Sequence, residues 1–116
     1  MSDYIGNRIS SRIPNKLRVK IKGKKLKEKQ YYTLDISSGG IFIPSTVAPP
    51  LGLDVEVRLY LPRTKKPLFI QGKILRIKWE GNFKHVEGFA VEFKKMDRET
   101  EDKYLSFMNK LSQDEL

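Results

Sequence analysis

The chain has 116 residues with no cysteine, and 39% of them are hydrophobic and 10% aromatic. This length predicts one domain with a modest core, and the lack of cysteine excludes disulfides and thiolate metal sites. No apolar run approaches the roughly 18 residues of a membrane span, and the polar start predicts no secretory signal. We therefore expect a cytoplasmic protein of bacterial type.

The charge is strongly positive and uneven. Lys and Arg number 23 against 14 acidic residues, a formal net charge of +9. Residues 1–34 hold ten of the basic side chains and two acidic ones, Asp3 and Glu28. Such a field attracts polyanions, which include nucleic acid, a nucleotide and an anionic membrane surface.

The first predicted elements are an arm and a strand. Residues 1–14 show no periodicity and predict a flexible N-terminal arm, followed by a folded domain over residues 15–112. The stretch "KLRVKIK" (16–22) alternates apolar and basic residues, which is typical of a strand with one solvated face. The lysine-rich "GKKLKEKQ" that follows predicts an exposed turn.

The stretch "YYTLDIS" (31–37) predicts the second strand. Its alternation places Leu34 and Ile36 with Tyr32 on the core face, and it places Asp35 and Ser37 on the outer face. "SSGG" then breaks the chain, and "IFI" (41–43) predicts a short third strand.

Three further strands and one helix complete the prediction. "LDVEVRLYL" (53–61) alternates cleanly, and "VEGFAVEF" (86–93) ends the β-region. Between them, a bulge near Gly72 explains a change of parity in "LFIQGKILRIKW". The inward residues of that strand are then Leu68, Ile70, Leu75, Ile77 and Trp79.

The last segment changes to helical spacing, with Asp97 as the expected N-cap. Its apolar positions are Tyr104, Leu105, Met108 and Leu111. The sequence therefore predicts an all-β fold, a six-stranded antiparallel β-barrel with a C-terminal α-helix that covers an end or flank of the barrel.

Two polar motifs carry the candidate chemistry. In "DISSGG", Asp35 and Ser37 are expected to project together, and Gly39 and Gly40 let the backbone turn or approach a ligand closely. Taken alone, these residues are explained more simply by a glycine-capped hairpin turn. The second motif is "GNRISSRIP", which holds two arginines four residues apart.

Together the motifs suit guanine. Arg8 and Arg12 each carry a planar fork that fits a phosphate or the O6/N7 edge of guanine. Asp35 is an acceptor for the N1–H and N2–H₂ donors of the opposite edge. The set would discriminate against adenine, which has a donor at its 6-position.

R-x-x-x-R from Arg8 to Arg12, followed by D-x-S-x-x-G from Asp35 to Gly40, resembles the signature of the PilZ family, receptors for cyclic di-GMP. The resemblance implies that the arm wraps the ligand and that Arg8 and Arg12 contact its guanines and phosphates. It also implies that Asp35 and Ser37 read guanine, while Gly40 allows close approach.

One position departs from the family pattern. Many members have a further basic residue where this chain has Asn7, and in the family that position influences whether one ligand or an intercalated pair binds. Trp79 is a second candidate, because an indole at a strand end stacks on purines. Its parity with Ile77 favours a core or rim role instead.

Three classes of function remain at this stage. The first is a cyclic di-GMP receptor that signals by changing its affinity for a protein effector. The second is a small barrel that binds single-stranded nucleic acid through Tyr31, Trp79 or Phe83, although Asp35 would repel phosphates. The third is an interaction module that binds no nucleotide. No catalytic or metal-binding cluster is expected, since His85 is the single histidine.

Overall fold

The structure is a computed structural model that describes residues 2–3, 12–82 and 84–114. Within these residues the chain forms nine strands followed by one helix. In chain order they are β1 Ser2–Asp3, β2 Ile13–Pro14, β3 Arg18–Gly23, β4 Leu26–Tyr32, β5 Asp35–Ser37, β6 Gly40–Pro44, β7 Asp54–Leu59, β8 Leu68–Trp79, β9 Val86–Met96 and α1 Arg98–Asp114.

The described strands form one antiparallel sheet. Its order is β2-β5-β6-β9-β8-β7-β3-β4, and β1 pairs with β9 beside this path. The sheet curls around its own core, because Tyr31 of β4 packs edge-on against Phe89 of β9 with ring centroids 5.3 Å apart. The all-β class with a C-terminal helix is therefore confirmed. The described pairings differ from the expected barrel in strand number and end at β2 and β4.

The core follows the predicted alternation on most strands. Val19 and Ile21 of β3 are fully buried, as are Val57 and Leu59 of β7. Burial of one such side chain contributes about 1.5–3 kcal/mol to folding. Lys20 lies between the two buried residues of β3 and points outward, as expected.

The prediction of one continuous second strand is wrong, because the strand divides at Thr33. The hydroxyl of Thr33 accepts a hydrogen bond from the Leu17 amide at 2.8 Å and donates one to the Asn15 carbonyl at 2.6 Å. These bonds turn the buried Thr33 toward the preceding segment and interrupt the alternation between β4 and β5. As a result Tyr32 and Leu34, predicted to face the core, are 46% and 55% exposed.

The alternation of β8 also differs from the prediction. A pairing shift lies near Gly72 as expected, between Gln71 and Gly72, but its extra residue is Lys94 of β9. The alternation of β8 therefore continues unbroken from Leu68 through Ile70 to Ile74. A second shift between Ile74 and Arg76 was not expected. Leu75 is the extra residue of β8 at this second shift, so the change of parity comes after the buried Ile74, and Leu75 is 49% exposed.

Helix α1 begins as predicted. The Asp97 carboxylate accepts a hydrogen bond from the Thr100 amide at 2.7 Å, which caps the helix. Tyr104 and Met108 are fully buried against the sheet. The Tyr104 hydroxyl also donates a hydrogen bond to the main-chain carbonyl of Ser37, so the helix is tied to β5.

The N-terminal arm lies mostly outside the described residues. Its last two residues, Ile13 and Pro14, pair with Ile36 and Asp35 of β5. Ile13 is 5% exposed and belongs to the core. The structure therefore includes residues 13–14 in the sheet, whereas the sequence analysis assigned them to the arm.

Candidate ligand-binding site

A cavity of about 430 Å³ lies on the outer face of β5, β6 and β8. This candidate cavity is lined by Arg12, Leu34, Asp35, Phe42, Arg76 and Lys78. Its size is within the usual range for small-molecule sites.

Strand register builds the cavity. Asp35 pairs with Phe42, Phe42 pairs with Ala90 of β9, and Ala90 pairs with Arg76 of β8. Residues opposite each other in an antiparallel sheet share a face, so this row carries a carboxylate, an aromatic ring and a guanidinium across four strands. The ring of Phe42 lies against Gly88, where an added Cβ would approach Phe42 Cζ to 2.6 Å.

Arg12 and Asp35 form an ion pair at the edge of the cavity. The Arg12 Nη1 atom lies 2.8 Å from Asp35 Oδ1, and the two side chains are 36% and 21% exposed. The pairing of Pro14 with Asp35 fixes this geometry, because it holds the end of the arm beside β5. The second arginine of the R-x-x-x-R motif thus contacts the carboxylate of the D-x-S-x-x-G motif.

The opposite wall of the cavity is cationic. Lys78 forms an ion pair with Glu87, with its Nζ atom 3.4 Å from Glu87 Oε2. Arg76 forms no ion pair with any residue that the structure describes. The lining therefore has three cations and one carboxylate, with apolar surface from Leu34 and Phe42. Such a site favours an anion that also carries a flat apolar group.

Ser37 alternates with the buried Ile36, so it lies on the same face of β5 as Asp35, but it is covered. It is 8% exposed, and its hydroxyl donates a hydrogen bond to the Gly40 carbonyl at 3.3 Å. Strand β5 has only three residues, and Ser37 pairs with Gly40 at the hairpin that closes it. Ser37 is thus less accessible than expected in this structure, and its role in ligand binding stays a prediction.

The two glycines of the motif differ. A Cβ at Gly40 would lie 2.3 Å from the Val91 carbonyl oxygen, so the close packing of β6 on β9 requires glycine there with or without a ligand. A Cβ at Gly39 would meet nothing within 4 Å. Close approach of a ligand to either residue stays a prediction.

Two of the predicted site residues, Asn7 and Arg8, lie outside the described residues, and so does Phe83 of the nucleic-acid alternative. Trp79 is 43% exposed and was wrongly given an inward position. It lines a different cavity together with His85 and Glu87. Tyr31 packs on Phe89, which leaves little of its ring for a nucleobase.

Sequence reasoning missed four of the six lining residues, Leu34, Phe42, Arg76 and Lys78. The alternation of Arg76 with Lys78 near the end of β8 was a usable signal, since it marks an outward basic edge. The signal for Leu34 was hidden by the break at Thr33.

The sequence model of the PilZ domain family matches residues 7–110 of this chain. The chain belongs to the PilZ domain family. No curated relative matches the sequence.

Three solved structures share the PilZ fold. Bacillus subtilis Inhibitor of motility (MotI/DgrA) superposes with a TM-score of 0.73 at 16% identity and covers 89% of this chain, which spans 50% of the length of that protein. The PilZ domain of YcgR from Escherichia coli, solved with c-di-GMP, has a TM-score of 0.67 at 13% identity and 90% coverage of both chains. The PilZ domain of CeSA from a cellulose-synthesizing bacterium has a TM-score of 0.59 at 20% identity and covers 89% of this chain and 99% of its own.

Among residues 2–3, 12–82 and 84–114, no group of three or more His, Cys, Asp or Glu side chains is placed to hold a metal ion. No helix in these ranges has the length and apolarity that a membrane crossing needs.

Proposed function

We propose that this PilZ domain is a receptor for cyclic di-GMP and that it binds the ligand in the candidate cavity. The observation that carries the proposal is the 2.8 Å contact between Arg12 and Asp35 at the cavity edge. It joins the two motifs, 23 residues apart, at one place on the surface. The family match and the c-di-GMP in the YcgR domain support the choice of ligand.

Each lining residue has a chemical role in this proposal. The Arg12 guanidinium binds the O6/N7 edge of guanine or a phosphate, and Asp35 accepts the N1–H and N2–H₂ donors. Phe42 and Leu34 provide apolar surface for a purine ring. Arg8, Ser37 and Gly40 keep the roles that the family resemblance implies.

The basic wall accounts for the phosphates. Arg76 is exposed and free of any described carboxylate, and Lys78 is exposed beside it on β8. Both side chains are thus available to a dianion that spans the cavity from Asp35 to β8. Contacts of this charge-assisted kind contribute about 1.5–3 kcal/mol each.

The Arg12–Asp35 pair does not block the ligand. An exposed ion pair contributes only about 0–1 kcal/mol, so its two groups are released at little cost. The ligand then offers Arg12 an acceptor and Asp35 a pair of donors. In this proposal the pair holds the end of the arm in place before binding.

The output of the receptor is a change in contact with a protein effector, and the domain catalyses no reaction. In this proposal residues 7–11 close around the ligand, and fixing their backbone costs about 1–2 kcal/mol for each residue, which the charged contacts offset. The surface near the cavity differs in the two states, and an effector that binds one of them better shifts the balance.

Calorimetry with cyclic di-GMP and with its adenine counterpart, cyclic di-AMP, tests the proposal. We expect saturable binding of the guanine ligand and at least about tenfold weaker binding of the adenine ligand, because adenine offers Asp35 no N1–H donor. The same titration gives the stoichiometry, one ligand or an intercalated pair. Equal affinity for both nucleotides would contradict the guanine-reading role of Asp35.

A further inference from the structure

A second surface of the protein carries cations interleaved with aromatic rings. It is the outer face of β4, β3, β7 and the start of β8. We call it the cation–aromatic face, and its members are Lys16, Arg18, Lys20, Lys22, Tyr32, Arg58, Tyr60 and Phe69. It has no role in the proposed nucleotide site, and none of these residues lines the candidate cavity.

Strand register again places the members together. Lys20 of β3 pairs with Arg58 of β7, and Arg58 pairs with Phe69 of β8. On the other side of β3, Arg18 pairs with Tyr32 of β4. Paired residues share a face, so one surface of four strands carries these charges and rings.

The rings hold the cations in place. The Arg18 guanidinium lies 4.0 Å from the centroid of the Tyr60 ring. The Lys16 ammonium lies 5.1 Å from the centroid of Tyr32, and the Arg58 guanidinium lies 5.4 Å from that of Phe69. Cations over rings at such distances are attracted to the ring face, which restricts otherwise mobile side chains.

The positive charge on this face is not balanced. Glu28 and Glu56 lie on the strands beside β3, and both contact Arg58, at 3.4 Å and 3.6 Å. The remaining cations form no ion pair with any residue in the described ranges. They are Lys16, Arg18, Lys20 and Lys22.

We propose that the cation–aromatic face binds an acidic, extended segment of a protein partner. Arg18, Lys20 and Lys22 occupy alternate positions of one strand, so they repeat about every 6.6 Å. An extended partner chain with Glu or Asp at alternate positions has the same repeat, and each carboxylate then meets one cation.

The ring faces on this surface are covered by cations of the protein, which favours carboxylates over nucleobases as ligands. Proteins that bind single strands stack bases on exposed aromatic faces. Here Tyr32, Tyr60 and Phe69 each already have a cation of the protein over the ring. The surface therefore presents charge rather than free stacking platforms, and an acidic protein segment fits it better than a nucleic acid.

The test uses the whole chain and a fluorescent peptide of about ten residues that alternates Glu with Ser, at low ionic strength without nucleotide. The variant replaces two members of the row, Lys20→Glu and Lys22→Glu. The control variant, Lys84→Glu with Lys110→Glu, makes the same change in net charge at exposed positions on a loop and on α1. Circular dichroism checks that both variants fold.

We expect the first variant to weaken peptide binding at least about tenfold and the control to weaken it less than about twofold. Equal weakening in both would overturn the proposal, because it would show attraction by net charge alone. Absence of peptide binding to the unmodified chain would also overturn it. An oligothymidylate of the same charge that binds more tightly and responds to the same variant would show that the face binds nucleic acid instead.

Discussion

Arg12 and Asp35 lie 23 residues apart in the sequence, and the structure places Nη1 of the arginine 2.8 Å from Oδ1 of the aspartate. The contact depends on the backbone pairing of Pro14 with Asp35, and Ile13 anchors that pairing in the core. The end of the arm is thus fixed beside the carboxylate that is proposed to read guanine.

Replacing Asp35 with Asn tests the acceptor role of the carboxylate. An amide cannot accept from both donors of guanine as the carboxylate does, so we expect calorimetry to show a loss of about 1.5–3 kcal/mol in the binding of cyclic di-GMP. The free energy of unfolding should change by less than about 1 kcal/mol, because the Arg12 pair is partly exposed. The control is Asp54→Asn at an exposed strand position, and equal loss of binding in the control would remove Asp35 from the site.

The two motif glycines should differ in how much they contribute to the stability of the fold. Gly40→Ala places a Cβ against the Val91 carbonyl, and we expect it to lower the free energy of unfolding by about 1–3 kcal/mol or more. Gly39→Ala points into open space, so its stability should stay close to that of the unmodified protein. Urea unfolding measures both variants, and a fully stable Gly40→Ala protein would contradict the packing described for β6 and β9.

The contact between the helix and the motif strand is tested by Tyr104→Phe. This change removes the donor to the Ser37 carbonyl and leaves that oxygen without this bond in a buried position. We expect a loss of about 1–3 kcal/mol in the free energy of unfolding. Tyr60→Phe is the matched control, since the Tyr60 hydroxyl forms no hydrogen bond with any residue in the described ranges. Similar stability in the two variants would show that the Tyr104 bond contributes nothing.

The helix cap predicts a dependence of stability on pH. The hydrogen bonds from Thr100 lower the pKa of Asp97 below its ordinary value of 3.8. A carboxyl group with a lowered folded-state pKa stabilises the fold above its unfolded pKa, and this contribution is lost as the pH falls through the folded value. Thermal unfolding should therefore show that Asp97→Ala is less stable than the unmodified chain at neutral pH, with a difference that shrinks well below pH 3.8.

The matched variant for the cap is Asp97→Asn. Asn is also a good N-cap and has no titrating group, so we expect it to retain most of the stability at neutral pH. A difference between Asp97→Ala and the unmodified chain that stays constant from neutral pH to pH 2 would contradict this account of the cap.

The sequence predicted the parts of the fold and site that depend on residue type and simple alternation. Arg12 and Asp35 were singled out because their side chains suit guanine, and the structure brings them together. Strands β3 and β7 were predicted because their alternation is unbroken. The errors about which side chains face the core arise where the backbone changes phase. The hydroxyl of Thr33 makes one such change, and the pairing shift between Ile74 and Arg76 makes another. Periodicity carries no signal for such shifts, so the exposure of Leu34 and of Leu75 could not be predicted.

Calorimetry of cyclic di-GMP binding to Arg12→Ala tests the central claim most directly. The control is Arg98→Ala, which removes an exposed arginine at the start of α1, away from the candidate cavity. We expect Arg12→Ala to abolish measurable binding with the fold intact by circular dichroism, while the control binds like the unmodified chain. Unchanged affinity in Arg12→Ala would contradict the proposal that the Arg12–Asp35 edge of the cavity holds the ligand.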